Sequence, residues 1–515
     1  MSKEIVIIGA GPGGLVNAIL LAHAGHRVTM LEKQPYVGGR TSTFELDGFQ
    51  FDLGPTFFLY PEMLKSILSE VGCELDEVIP MKRLDPQYRL VFGQGGRLDA
   101  SPDIRAMERE IDRLSPGDVA GFHRFMEENR SKLHLFEPIL KRPFSSFTDL
   151  LQTDILRALP VLRPWLSLHG DVSRHFQDPR LRLAFTFQGK YLGMSPFQCP
   201  SLFSILSFLE YEHGVFHPIG GCGALMRRLA QLARRLGVDI HLEEPVTGLK
   251  FAGRRVVGVQ TRLRECATDA VVVGADFANA MTNLVPNELR RHWSNSRIDR
   301  AKFSCSTFMM YLGIEGRFDD LPHHTIYLSN DYQNNLDQIR SGKLPDDPSV
   351  YVQNACVTDF SLAPDGCSTL YVLVPVANTK ADIDWSNEKY AFRERVMRQI
   401  ERLGICSIEK RIRVERVITP TDWRDWFGIH HGATFNLSHS LDQMLMFRPH
   451  NRFEDIDGMY LVGGGTHPGS GLPTIFSSAK ITADLIRQDL EEPRRSTSLS
   501  RKSGRKSKPV VGTNL

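Results

Sequence analysis

Two glycine-dense stretches, near opposite ends of the chain, have the composition that accommodates phosphates and flat rings. The first is EIVIIGAGPGGL, residues 4–15. Gly9, Gly11 and Gly14 give the spacing G-x-G-x-x-G, and Gly13 precedes the last of them. Gly9 suits a tight turn, Gly11 a close backbone approach to a pyrophosphate, and Gly14 close packing of helix on strand. The helix that follows directs its first amides at the phosphates. Glu32 lies eighteen residues beyond Gly14, at the end of a second strand, where it accepts hydrogen bonds from a ribose. The chemistry is dinucleotide binding. The second stretch, GGGTHPGSGLP, spans residues 463–473 with five glycines and two prolines. Packed strands and helices do not tolerate that density. A strand-like YLV precedes it and a helix-like TIFSSAKITADLI follows it. Such a loop suits a backbone lying against a flat ring, with Pro468 and Pro473 stiffening the passage.

The surrounding elements must place these residues. Ile5 to Ile8 form a continuous apolar run, as expected for a parallel strand covered on both faces. Leu15, Ile19, Leu21 and Ala22 supply the buried face of a helix that Gly25 ends, and HRVTMLEK is the second strand. KQPYVGGRTSTFELDGFQFDLGPT continues from it, with Gly38-Gly39-Arg40, a hairpin-like pair of strands, and FDLGPT. Residues 219–277 add a glycine turn, an amphipathic helix and a strand. Leu225, Leu229, Leu232 and Leu236 recur at helical spacing, and the opposite face, with Arg227, Arg228, Arg234 and Arg235, is solvated. GLKFAGRRVVGVQT predicts a hairpin turning at Ala252-Gly253, and VVVGAD a core strand. Residues 100–218 look predominantly helical, with prolines breaking the runs. Residues 295–428 mix strands (STFMMYLGIE, STLYVLVPVA) with a helix near 386–403.

The 515 residues allow about two to four lobes. Composition is ordinary for a globular protein, with 42% hydrophobic and 24% charged residues. The net charge of +2 gives no reason to expect nucleic acid. From Pro493 onward there are seven basic and no acidic residues, which predicts a basic disordered tail. The eight cysteines contain no C-x-x-C pair and no Cys/His cluster, so reduced thiols in a cytosolic protein and no metal are expected. Glycines break the N-terminal apolar run by Gly9, which argues against a secretory signal. Apolar patches such as PSLFSILSFL are too short to span a bilayer.

Four passages resemble the flavin-dependent carotenoid desaturases of the bacterial phytoene-desaturase type, within the amine-oxidase-like superfamily. They are IVIIGAGPGGL with LEK and VGGR; FDLGPT; GATFNLSHSLDQMLMFRPHNR; and GMYLVGGGTHPGSGLPTIFSSAKITADLI. The resemblance implies an α/β fold: a Rossmann-like FAD-binding domain discontinuous in sequence (1–99, 219–294 and 429–490), and an α+β substrate domain built from two insertions. These are a helical, membrane-facing insertion (100–218) and an α+β insertion (295–428), with a basic tail at 491–515. It implies FAD as cofactor, with Gly39 letting the chain run along it, Arg40 near its phosphates, and the Val246 backbone at its adenine. Gly464, Gly465, Thr466, Leu472, Pro473 and Thr474 are implied to seat the isoalloxazine. Amides opening the last helix would face the pyrimidine edge, where negative charge develops on reduction. His467 is a weak candidate base, more readily a structural or flavin-lining histidine. The implied reaction is desaturation of a long isoprenoid hydrocarbon, phytoene-like C40 or squalene-derived C30, by hydride transfer to flavin N5. Oxygen or a membrane quinone would reoxidise the flavin. The implied location is cytoplasmic, peripherally on the inner face of a membrane. A carotenoid oxygenase, ketolase, isomerase or saturase on the same flavin remains open, as do an amine oxidase and a flavin-free prenyl-lipid escort protein.

Overall fold

Five short parallel strands carry the first glycine turn. They are β1 (Glu4–Ile8), β2 (Arg27–Leu31), β3 (Asp239–His241), β4 (Ala270–Val273) and β5 (Met459–Leu461). Their order in the sheet is β3-β2-β1-β4-β5, every pair parallel. The computed structural model describes residues 2–405 and 407–491. Side-chain alternation explains why β1 and β4 are apolar throughout. Ile5, Ile7 and Val272 enter one core, while Val6, Ile8, Val271 and Val273 enter another on the opposite face.

Three helices cover the first face: α1 (Pro12–His23), α2 (Gly221–Arg235) and α3 (Leu472–Glu491). α1 opens on Pro12 and closes with Gly25 at φ +88°. There the His26 N–H reaches back to the Leu21 carbonyl at 3.2 Å, satisfying a carbonyl that the helix end leaves free. α1 and α3 pack directly, and the buried Asn17 amide donates to the Ala479 carbonyl at 2.9 Å. A three-stranded antiparallel sheet covers the second face, formed by residues Val246–Ala252, Arg255–Thr261 and Glu265–Ala267. Its first turn falls at Gly253-Arg254, one residue later than the sequence indicates.

A seven-stranded mixed sheet forms the other lobe. Its longest pairing is the ten-residue antiparallel pair Ser306–Glu315 with Cys367–Val376. Helix Trp385–Arg402 packs on it through Trp385 and Phe392, which meet Phe308. The far edge is Tyr88–Phe92 and Arg97–Ala100. A boundary at residue 99 counts these strands with the nucleotide lobe, yet Tyr88–Phe92 pairs parallel with His324–Leu328. An alternating strand buries equally well in either sheet, so its pattern carries no address.

Helix Ile104–Leu114 stands against that edge, and helix Val119–Leu140 packs beside it on helices Thr153–Leu162 and Ser204–His213. Phe122, Phe125 and Phe185 share a core there with Tyr88 and Leu90. Inside this bundle Lys132 is fully buried. Its ammonium donates to Asp171 at 2.5 Å and to the Ser204 hydroxyl at 3.1 Å. Arg163 joins the same carboxylate at 3.1 Å and Glu128 at 2.5 Å. Burial of a lysine is tolerated when it is paired in this way, and the cluster ties several helices together. The seven described cysteines are free. Among the described residues no helix is long and apolar enough to cross a membrane. The expected tail lies outside the described residues beyond Glu491.

Candidate active site

The first glycine turn is shaped by contacts that exclude side chains. Gly9 has φ +98°, and its N–H donates to the Leu31 carbonyl at 2.8 Å. A Cβ on Gly14 would stand 2.2 Å from the Gly9 carbonyl oxygen, so helix and turn meet without space for a methyl group. Gly11 differs: no heavy atom lies within 4 Å of its Cβ position. The Gly38 N–H bonds the Ala10 carbonyl at 2.8 Å, and the Gly39 Cβ position lies 3.5 Å from Gly11 Cα. Two glycine backbones therefore run side by side. Glu32 is buried, and its carboxylate accepts the Ala10 N–H at 2.8 Å and the Gln34 N–H at 2.9 Å. Each carboxylate oxygen retains a second lone pair for a ribose hydroxyl. The Glu32 backbone bonds His241 and Glu244 at 2.9 and 2.8 Å, which brings Val246, at the start of its strand, to this end of the sheet.

The C-terminal glycine loop meets that turn. A Cβ on Gly13 would lie 3.0 Å from Val462 Cγ2, 3.2 Å from Ile475 Cγ2 and 3.5 Å from Gly463 Cα. The Gly463 Cβ position, like that of Gly11, has no heavy atom within 4 Å. At Gly464 a Cβ would meet the Asn436 amide and the Ser470 hydroxyl, both at 2.9 Å, and at Gly465 it would meet Phe277 Cβ at 2.7 Å. Thr466 is buried, and its N–H closes a turn on the Gly463 carbonyl at 3.1 Å. Leu472 and Pro473 open α3, and the Thr474 hydroxyl bonds the Ser470 carbonyl at 2.8 Å.

Several groups hold this loop and its surroundings; Arg448, His439, Asn436 and Asp52 were not singled out by the sequence, whereas His467 and Arg40 were. Arg448 is 1% exposed. Its guanidinium donates to the carbonyls of Gly464 (2.7 Å), Thr466 (3.2 Å), Leu437 (3.2 Å), Ser438 (3.3 Å) and Gln443 (3.3 Å). Burial pulls it down to about 9, so it remains a cation at neutral pH. His439 accepts the Ser470 N–H at Nε2, 2.9 Å away. Its proton therefore sits on Nδ1, and burial holds the ring neutral. His467 is fully buried, donates from Nε2 to the Arg142 carbonyl at 3.0 Å, and is pushed down to about 3 by burial. Arg40 donates to the Thr434 carbonyl at 2.7 Å. With its amide turned to suit both neighbours, Asn436 accepts from Arg40 at 3.1 Å and donates to Asp276 at 2.8 Å. Asp52, the acid of FDLGPT, binds the Cys222 and Gly223 amides at 2.8 and 3.0 Å and so anchors the start of α2. The sequence offered one clue to Asp52 and Arg448: both lie in the quoted family passages.

These residues fit a dinucleotide. Side-chain-free backbone opens at Gly11 and Gly463, a carboxylate ends β2, and a second loop returns from the far end of the chain to the same place. Fold and site together define a flavin-dependent oxidoreductase. Residues 12–487 match the family described as flavin containing amine oxidoreductase. The chain is 41% identical to a 4,4'-diapophytoene desaturase (4,4'-diapolycopene-forming) from Methylomonas sp, over 95% of this chain and 96% of that one. It is 39% identical to an all-trans-zeta-carotene desaturase from Myxococcus xanthus, over 95% and 94%. The chain thus belongs to the flavin containing amine oxidoreductases, among the carotenoid desaturases, and its cofactor is FAD. A solved oxidoreductase from Methanosarcina mazei shares the fold, with a TM-score of 0.59 at 18% identity over 92% of this chain and 98% of that one.

Proposed function

We propose that the protein desaturates a linear isoprenoid hydrocarbon of the phytoene or diapophytoene type. One observation carries this reading: the first-strand turn and the C-terminal loop touch at Gly13 and Gly463, in a chain with the similarity described above. Bound FAD supplies the hydride acceptor. Gly11 and Gly39 give the pyrophosphate its close approach, with Arg40 oriented nearby by Thr434 and Asn436. Glu32 takes the ribose and the Val246 backbone the adenine. Gly464, Gly465, Thr466, Leu472, Pro473 and Thr474 seat the ring, and the surrounding lobes exclude water. His467 ties the loop to residue 142. A ring held neutral down to about 3 is a poor base, and a cation delocalised along a polyene loses its proton without a strong one.

The substrate is oily, and the surface supports peripheral docking on a membrane. Leu151, Leu156, Leu159, Trp165 and Leu441 are exposed apolar side chains of the helical insertion and the neighbouring 434–447 segment. Trp165 and Leu441 flank a cavity of about 420 Å³ that Leu166 and Pro200 also line. Such a patch, at the edge of an opening, suits uptake from a bilayer. Oxygen or a membrane quinone then accepts the electrons.

Expression in cells that make either the C30 or the C40 hydrocarbon, followed by extraction and mass analysis, tests the proposal. Products two or more hydrogens lighter are expected. Oxygenated, isomerised or saturated products would replace it with a sister reaction, and a colourless protein without flavin absorbance would replace it with an escort role.

A further inference from the structure

We infer that Arg448 is a positioning residue that also sets the charge beneath the flavin seat, its buried cation stabilising the reduced cofactor. The inference rests on the proposal that residues 463–474 form that seat. Arg448 touches the seat from behind, through the carbonyls of Gly464 and Thr466. Its other three acceptors are carbonyls of the 437–443 segment. Among the described residues no carboxylate pairs with it.

An unpaired buried cation is costly. Five carbonyl dipoles offset part of that cost, and among the described residues no carboxylate pairs with the guanidinium to offset the rest. The neighbouring rings do not cancel it either. His439 and His467 are both neutral, and the Arg448 charge helps to keep them so. The seat is therefore electropositive from below in the resting protein. Desaturation supplies the missing anion. One carbon gives up a hydride, two electrons with one proton, and the adjacent carbon releases a proton that ends in bulk solvent outside the site. A bound flavin that accepted this hydride would carry one additional negative charge. A preorganised cation close to where charge develops lowers the free energy of the reduced state.

Sulfite, which adds to oxidised flavin and bleaches its visible band, is a probe of positive charge at the ring. The holoenzyme is titrated with sulfite and its reduction potential measured for the wild type, Arg448→Lys and Arg448→Gln. The lysine keeps the charge and loses the five-carbonyl fork; the glutamine keeps an amide donor and loses the charge. Expected results are a readily bleached wild type, Arg448→Lys within about threefold of it, and Arg448→Gln at least about tenfold weaker with a lower potential. Wild-type flavin that resists sulfite overturns the inference without any variant. So does Arg448→Gln that holds FAD and bleaches like the wild type, or Arg448→Lys that falls as far as Arg448→Gln. A wild-type protein that takes up no FAD sinks the seat itself, and the inference with it.

Discussion

A single methyl group at Gly11 should separate folding from cofactor binding. Gly11 has φ −72° and ψ 175°, a conformation open to any residue, and no heavy atom lies within 4 Å of its Cβ position. In the folded apoprotein Gly11→Ala therefore meets nothing. The lost freedom of the unfolded chain stabilises by about 0.4–1 kcal/mol, and the poorer helix cap costs a comparable amount. The apoprotein should melt within about 2 °C of the wild type. The cofactor meets a different situation. A phosphate oxygen bonded to an amide sits about 2.9 Å from it, whereas a methyl carbon keeps its neighbours at about 3.5 Å or more. Displacement costs at least one charge-assisted hydrogen bond, about 1.5–3 kcal/mol, or roughly 10- to 150-fold in affinity. Titration of apoprotein with FAD, followed by quenching of FAD fluorescence, measures the second effect, and a thermal melt of the same apoprotein measures the first. Gly14→Ala is the contrast. Its Cβ would lie 2.2 Å from the Gly9 oxygen, so the apoprotein itself should lose about 1–3 kcal/mol. Wild-type FAD affinity in Gly11→Ala, or an apoprotein as unstable as Gly14→Ala, refutes the assignment of this turn to the pyrophosphate.

Lys132→Met should lower stability by about 3 kcal/mol in denaturant melts, because Ser204 loses its donor and Asp171 keeps only Arg163 and Arg174; an unchanged midpoint would show that the cluster is dispensable. Burial holds His323, His324, His439 and His467 below their ordinary value of 6.5. The unfolded chain binds protons there that the folded chain refuses, so stability falls as pH drops from about 6.5, by up to about 1.4 kcal/mol per pH unit for each ring. Denaturant midpoints that stay level between about pH 7 and about pH 5 contradict this. Replacing Leu156 and Trp165 by serine should reduce flotation with liposomes several-fold while FAD content stays constant; equal flotation moves the docking surface elsewhere.

What the sequence could disclose was what is local. The run Ile5 to Ile8, the glycine spacing and Glu32 lie within one β-α-β unit, so chain geometry alone brings them together. The loop at 463–473 was legible because few uses besides close approach explain so many glycines. Arg448 was invisible in its role, since its acceptors span Leu437 to Thr466 and converge only when the chain is folded. Asp52 reaches a helix 170 residues away. The strands Tyr88–Phe92 and Arg97–Ala100 were legible as strands but not as members of the larger sheet, because alternation fixes a buried face and not a partner.

The order of the parallel sheet also fixes when the protein can be finished. β1 hydrogen-bonds to residues near 270, and β4 to residues near 460. A nascent chain leaving the ribosome must keep the outer edge of β4 unpaired until residues 459–461 have been made. Bare edges invite chaperones and aggregation alike. The sheet that carries the first glycine turn is therefore completed only when β5 pairs with β4, and the loop at 463–473 comes into place with it.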